Sequence, residues 1–367
     1  MAVEHKAAFI RHDGLWMKIG ANEYQLVREK GLHQPSWSYD GSMISYRDSG
    51  EKLWVYNTLT KNAQHVYHSS VTLPKWSPTE NTIAFQANHT LNIRNMDKKT
   101  TPFQYVSGGA DQYAWIPDGT GFVVSSDADL TPIGWTQVKL YNVPKKPQTK
   151  ARLLHTLPPE SDTFFAIGTT SFFFSKSERW LAFIACPTAS YSADTNFLSV
   201  FSLNEDKLKV AGKMLAKPDW MKWHPAANKL AFIEGEGRLS SENKKLAIYQ
   251  TDNNEKRKLT PLGLADGDFT WNSDTTIVVS RAKESGWNEE PNNRYLVQVN
   301  VMTNTQTELT SSDSSFSAHS PVTLSDGTLA YERSSSNSHD IILNESNGPY
   351  VWITNITASQ WAIFGMR

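Results

Sequence analysis

Apolar and polar residues alternate with a period of two along most of this chain, in short runs broken by tight polar turns. KLWVYN from Lys52, QVKLYNV from Gln137, FLSVFSL from Phe197, KLAIYQT from Lys245 and YLVQVNV from Tyr295 are all runs of this kind. Each predicts a strand with one face buried, and helical periodicity is nearly absent. A longer phrase contains these runs: a Trp-centred strand, a polar turn, an alternating apolar strand, a variable loop and two further strands. It reads PSWSYDGSMISYRDSGEKLWVYN from Pro35 and PKWSPTENTIAFQANHTLNIRN from Pro74. It returns as YAWIPDGTGFVVSS at Tyr113, FFFSKSERWLAFIA at Phe172, MKWHPAANKLAFIE at Met221, FTWNSDTTIVVSR at Phe269 and PVTLSDGTLAYER at Pro321.

Trp37, Trp76 and Trp115 are spaced 39 residues apart, a repeat of the size expected for a four-stranded propeller blade. Asp-Gly at Asp40–Gly41, Asp118–Gly119 and Asp326–Gly327 supplies the positive φ of a tight hairpin. Seven copies are complete. The N-terminal segment AAFIRHDGLWMKIGANEYQLV offers later strands without a Trp strand, and the C-terminal ASQWAIFGMR offers a Trp strand with nothing after it. Together they make an eighth blade, from residues 1–30 plus 356–367. The expectation is one all-β propeller over 1–367, eight-bladed, with the strand at Trp361 pairing near Phe9. Closure of this kind removes two exposed sheet edges. The long Tyr113–Phe172 interval leaves seven blades as the alternative count.

The phrase Trp-Ser-x-Asp-Gly-x-x-Ile at Trp37–Ile44, looser at Trp76–Ile83 and Trp223–Leu230, resembles the TolB-type propeller repeat. So does Leu53–Asn57 with the polar turn and Val66 behind it. The resemblance covers nearly the whole chain and speaks for the fold. It leaves function open, because such repeats occur in periplasmic binding proteins, peptidase lids and a pectic-oligosaccharide lyase. The six blades and separate N-terminal α/β domain of the best-known TolB protein are not indicated here. The Trp-Asp dipeptide of WD repeats and the tryptophan-docking motif of quinone-dependent dehydrogenases are absent as well.

Composition narrows the function classes. Lys plus Arg is 36 against 37 for Asp plus Glu, which gives no long-range attraction to nucleic acid. No stretch reaches the ~20 apolar residues of a membrane helix. The lone Cys186, in LAFIAC, reads as a small buried strand residue. There is no serine-hydrolase elbow, phosphate loop, dinucleotide fingerprint or zinc spacing, so no cofactor is expected. MAVEHKAAFI has charges where an export signal needs an apolar core. The expected location is therefore the periplasm or cell envelope if an export signal was removed ahead of this sequence, and the cytoplasm otherwise.

In a propeller, the loops joining strands two and three share a face with the links between blades. Here those loops are long in the later blades: from Ser125, Cys186, Glu234, Arg281 and Arg333. This predicts a lopsided rim bearing Trp135, Tyr191 and Trp287, three aromatics suited to stacking on sugars or gripping peptide side chains. Their bland role is to pin their own loops. Asp127 and Asp129, with Asp194, are weak calcium candidates. The channel mouth is expected to be ringed by His33, Gln34, Asp111, Gln112, Asp219, Asp266, Asp268, His319 and Gln360. The leading expectation is a monomeric, non-catalytic binding module of a bacterial envelope, with a protein or glycan ligand. One alternative is a metal-dependent glycan lyase using His33, His319 and Gln360, which the resemblance to pectic lyases suggests. Another is a cytosolic scaffold.

Overall fold

The computed structural model describes residues 4–98, 102–146, 149–289 and 292–365. It is an eight-bladed β-propeller built from four-stranded antiparallel sheets, with one four-residue α-helix and one 3-10 turn among the described residues. Blade 1 comprises His33–Trp37, Met43–Arg47, Lys52–Asn57 and Asn62–Ser70. Blades 2 to 7 occupy residues 72–108, 112–156, 168–214, 221–258, 264–308 and 317–353. Blade 8 takes its inner strand, Trp361–Ile363, from the C-terminus and its other strands, Lys6–Arg11, Gly14–Ile19 and Asn22–Val27, from the N-terminus. The pairing is antiparallel, with Phe9 opposite Trp361. Residues 1–3 and 366–367 of the expected eighth blade, and Glu290 and Pro291 of the loop after Arg281, lie outside the described residues.

The long Tyr113–Phe172 interval is one blade with two insertions. A small hairpin, Leu130–Thr131 with Gly134–Trp135, interrupts the loop between its second and third strands. A long link then runs to blade 4, with a bridge between Ser161 and Phe164.

The core is a ring of apolar clusters, each straddling a seam between neighbouring blades. Ile83 and Phe85 of blade 2 meet Leu53 and Val55 of blade 1. Ala7 and Phe9 of blade 8 meet Ile341 and Leu343 of blade 7. The repeating Trp adds a polar fastener to this burial. Trp37 Nε1 donates to Ala362 O (3.0 Å), Trp115 Nε1 to Lys75 O (3.1 Å), Trp223 Nε1 to Phe173 O (2.9 Å) and Trp271 Nε1 to Lys222 O (3.2 Å). In each case the acceptor is the inner strand of the preceding blade. A buried indole needs such a partner, and each bond contributes about 1 kcal/mol net. Trp76 uses Ser45 Oγ of blade 1 instead, at 3.0 Å.

The Asp-Gly turn also serves closure. Asp40 Oδ1 accepts from Ser42 N at 2.9 Å, and Gly41 sits at φ +69°. A Cβ on Gly41 would lie 2.7 Å from the Phe364 ring, so glycine admits the end of the closing strand. Lys6 Nζ donates to Gly41 O and rides 4.3 Å above the Trp37 ring.

Candidate functional site

The two faces of the ring differ in their loops. On one face, Asp48–Glu51 and Asn88–His89 make short connections in blades 1 and 2. Blades 3 to 6 instead carry a crown of long loops on that face, and the loops are tied to each other laterally. Asp194 in the blade 4 loop holds Arg238 of the blade 5 loop through two bonds of 2.6 and 2.8 Å. That guanidinium lowers the pKa of Asp194. Its carboxylate is committed to the loop contact, and Arg238 is a partner that lies 44 residues further along the chain. Ser241 Oγ donates to Ser285 O at 2.8 Å, joining the blade 5 and 6 loops. The blade 5 loop is pinned from beneath by Lys244, which has no exposed surface. Its ammonium donates to Glu236 O, Gly237 O and Glu242 O at 2.8–2.9 Å, and burial lowers its pKa to about 8.

Large apolar side chains stand out on this fixed crown. Ile133 is 99% exposed, Leu262 97%, Trp287 69% and Leu130 68%, and Tyr191 is also exposed. The opposite face shows Leu59 and Met302 in turns between third and fourth strands, Tyr39 in the first turn of blade 1 and Phe364 just past the closing strand. Of the three aromatics expected on the rim, Tyr191 sits on the short helix Ala189–Ser192 and Trp287 is the most exposed. Trp135 is half-buried against its own hairpin, opposite Leu130. Sequence reading missed Leu130, Ile133 and Leu262. Isolated aliphatics in loops carry no periodic signal, and their exposure appears only once the loops are placed.

The mouth residues fall into separate constellations. Asp266 lies opposite Arg281 in the blade 6 hairpin, and both are buried. Arg281 Nε and Nη2 grip its two oxygens at 2.6 and 2.9 Å, Thr260 donates to the same carboxylate, and Gln306 accepts from Arg281 Nη1. Asp268 accepts from Trp220 Nε1 at 2.9 Å. His319 Nε2 meets Ser334 Oγ at 2.7 Å, and burial lowers the pKa of the ring. His33 lies 3.4 Å from Glu51 and 3.3 Å from Gly31 O. Gln360 Oε1 accepts from Gln34 N at 2.6 Å. His33, His319 and Gln360 thus serve different neighbours. Among the described residues no group of three His, Cys, Asp or Glu side chains could hold a metal ion. Asp219 lines a cavity together with Trp220, Lys222 and Asp268.

One pair of candidates does meet. Asp111, half-buried at the start of blade 3, accepts from Thr169 N of blade 4 at 3.0 Å. Its own carbonyl accepts from Gln86 Nε2 of blade 2 at 3.1 Å. Asp127, from the crown loop of blade 3, brings a second carboxyl within hydrogen-bonding reach of it. Burial and this like charge raise Asp111 to about 6. Cys186 lies nearby, and burial, with Asp111 adding to it, pushes its thiol to about 12. Such a thiol is inert at neutral pH. Asp129 projects into solvent.

No protein-family model and no curated protein matches the chain by sequence. Solved structures match by shape. The dihydro-heme d1 dehydrogenase NirN, in complex with DHE, is matched over 98% of this chain and 75% of its own at a TM-score of 0.67 and 10% identity. Dipeptidyl peptidase 4 from Porphyromonas gingivalis is matched over 97% of this chain at 0.62 and 13% identity. This chain spans 58% of that peptidase's length. TolB from Acinetobacter baumannii is matched over 69% of this chain and 62% of its own at 0.43 and 15% identity. At these identities the first two likenesses speak for the propeller fold, and the third is too weak in shape to add to it.

Proposed function

We propose that this propeller is a binding module that holds a protein ligand on the crown of blades 3 to 6. The observation that carries the reading is the set of exposed apolar tips on one face: Leu130 and Ile133 on the blade 3 hairpin, Leu262 in the link from blade 5 to blade 6, and Trp287 on the blade 6 loop that Ser241 of blade 5 ties down. Exposed apolar side chains gathered on one face of a soluble protein mark interaction surfaces. Aliphatic tips favour a protein over a glycan, because sugars are gripped by aromatic plates and hydrogen bonds, whereas Ile and Leu offer only non-directional apolar burial. A metal-dependent glycan reaction is less well supported, since His33, His319 and Gln360 are engaged with separate partners.

The test is panning of a random peptide library on the full chain, beside a glycan array. Peptides retained by the wild type are expected to lose about 2 kcal/mol, roughly thirtyfold in Kd, on Trp287→Ala. Ile133→Ser should weaken them too. Retained peptides that bind both variants as tightly as the wild type, or binding to glycans alone, would overturn the reading.

A further inference from the structure

The position just before each blade's inner aromatic, or its equivalent, borders the channel. Blade 2 places Lys75 there, blade 4 Phe173 and blade 5 Lys222, while the other five blades have Ser36, Ala114, Thr270, Val322 and Gln360. At this one position the eight blades supply two lysines and no acid. Three cavities abut along the channel there. One of about 390 Å³ lies between Phe173, Trp223, Trp271 and Lys222. A second of about 380 Å³ shares Lys222 and Asp219 with the first and rises toward Asp268 and the mouth. A third of about 660 Å³ shares Phe173 and Phe174 with the first and reaches Lys75, Trp76 and Trp115. These volumes are those of sites for small organic molecules.

The two lysines differ in their contacts. Lys75 donates to Tyr113 O at 2.7 Å. The Lys222 ammonium makes no hydrogen bond or ion pair among the described residues, and the Phe269 ring lies 5.9 Å from it. Burial lowers its pKa, while Asp219 and Asp268 oppose that from beyond ion-pair distance. On the mouth side, Asp268 is already bonded to Trp220. Lys222 is half-buried and its ammonium has no partner, so part of the cost of removing a charge from water stands unrelieved, and an incoming anion would relieve it. The walls offer the aromatic faces of Phe173, Trp223 and Trp271 beside the acids Asp219 and Asp274, and those faces suit a flat ring rather than a bare inorganic ion.

We propose that the channel is a binding site for an aromatic carboxylate, with the carboxylate on Lys222 and the ring between Phe173 and Trp271. The site is separate from the crown and does not rest on the reading of the rim.

Isothermal titration calorimetry on the full chain at about pH 7 tests it, with naphthoate as the probe and naphthalenemethanol as its neutral counterpart. Naphthoate is expected to bind at one site, at least about tenfold more tightly than the alcohol. Lys222→Met should abolish that preference, Lys222→Arg should keep it, and Lys75→Met should weaken naphthoate by about threefold. Circular dichroism reports whether each variant is folded. If Lys222→Met does not fold, the acid-to-alcohol ratio in the wild type and in Lys222→Arg decides the matter. Equal affinity for acid and alcohol, no naphthoate binding at millimolar concentration, or a folded Lys222→Met that still prefers the acid would each overturn the proposal.

Discussion

Asp111, just ahead of the inner strand of blade 3, and Asp266, near the start of the inner strand of blade 6, stand at similar places and meet opposite partners. Asp266 faces Arg281, the residue directly across its own hairpin, and both are removed from solvent. Two parallel N–H···O bonds satisfy the carboxylate, and further bonds from Thr260 and to Gln306 complete the set. Asp111 has no cation across its hairpin: the chain places Ser125 and Ser126 there, and then Asp127. Its carboxyl meets a second carboxyl and is half protonated near pH 6. Similar places in the fold have thus been made a fixed clamp in one blade and a proton-sensitive contact in another. The clamp lies under the blade 6 loop of the crown, and the sensitive contact ties the blade 3 loop to blade 4.

The largest effect is expected on breaking the clamp. Arg281→Met leaves Asp266 buried without its cation, and losing one member of a buried ion pair costs about 3–5 kcal/mol. Urea unfolding of the variant should show a loss of that order. A loss below about 1 kcal/mol would mean that the pair contributes no more than a surface bridge.

The next effect is a matter of pH. Asp111 is raised in the folded protein from an ordinary 3.8 to about 6, so the folded state binds its proton more tightly than the unfolded chain. Its contribution to stability is fully present below the unfolded value and is lost as pH rises through about 6. Asp111→Asn imitates the protonated form and escapes that loss. The stability of the Asn variant relative to the wild type should therefore rise between pH 4 and 7 by about 1–2 kcal/mol, discounted for solvent at this half-open site. Above pH 7 the difference should be flat. A difference independent of pH across that window would remove the proton-sharing pair.

The ring itself was legible in the chain. Trp-Ser-x-Asp-Gly-x-x-Ile carries both the inner strand and its turn, and the split eighth blade announced its closure, so that Phe9 does face Trp361. The partners across the seams were not legible. The inner-strand Trp115 and Trp223 each reach, through Nε1, an acceptor on the blade before, forty and fifty residues back, and nothing local in the sequence marks that acceptor. The inner strands also shift register where His33, Thr72, Thr170 and His319 enter, with Gln34, Leu73, Ser171 and Ser320 at positive φ. These bulges re-aim side chains at the mouth and break the alternation from which facing is read. Asp111 and Asp127 were each singled out for a separate reason, one as a mouth residue and one in a D-x-D spacing. Their meeting depends on hairpin register. Asp194 was grouped with Asp127 and Asp129 as a calcium candidate, and an arginine of the next blade claims it.

The smallest effect is the sharpest probe of the comparison. Asp127→Arg gives blade 3 the cation that blade 6 already has. Asp127 is exposed, so the new pair should add no more than about 1 kcal/mol at neutral pH, the range of surface bridges. The diagnostic is the proton. With a guanidinium in place of the second carboxyl, the like-charge contribution disappears and an opposite charge favours the ionised form, so Asp111 should titrate well below 6 in a ¹³C carboxyl NMR titration. Burial alone would remain to hold it up. An unchanged midpoint in that titration would show that burial outweighs Asp127, and that the two blades differ in solvent access and not in the charge placed opposite the aspartate.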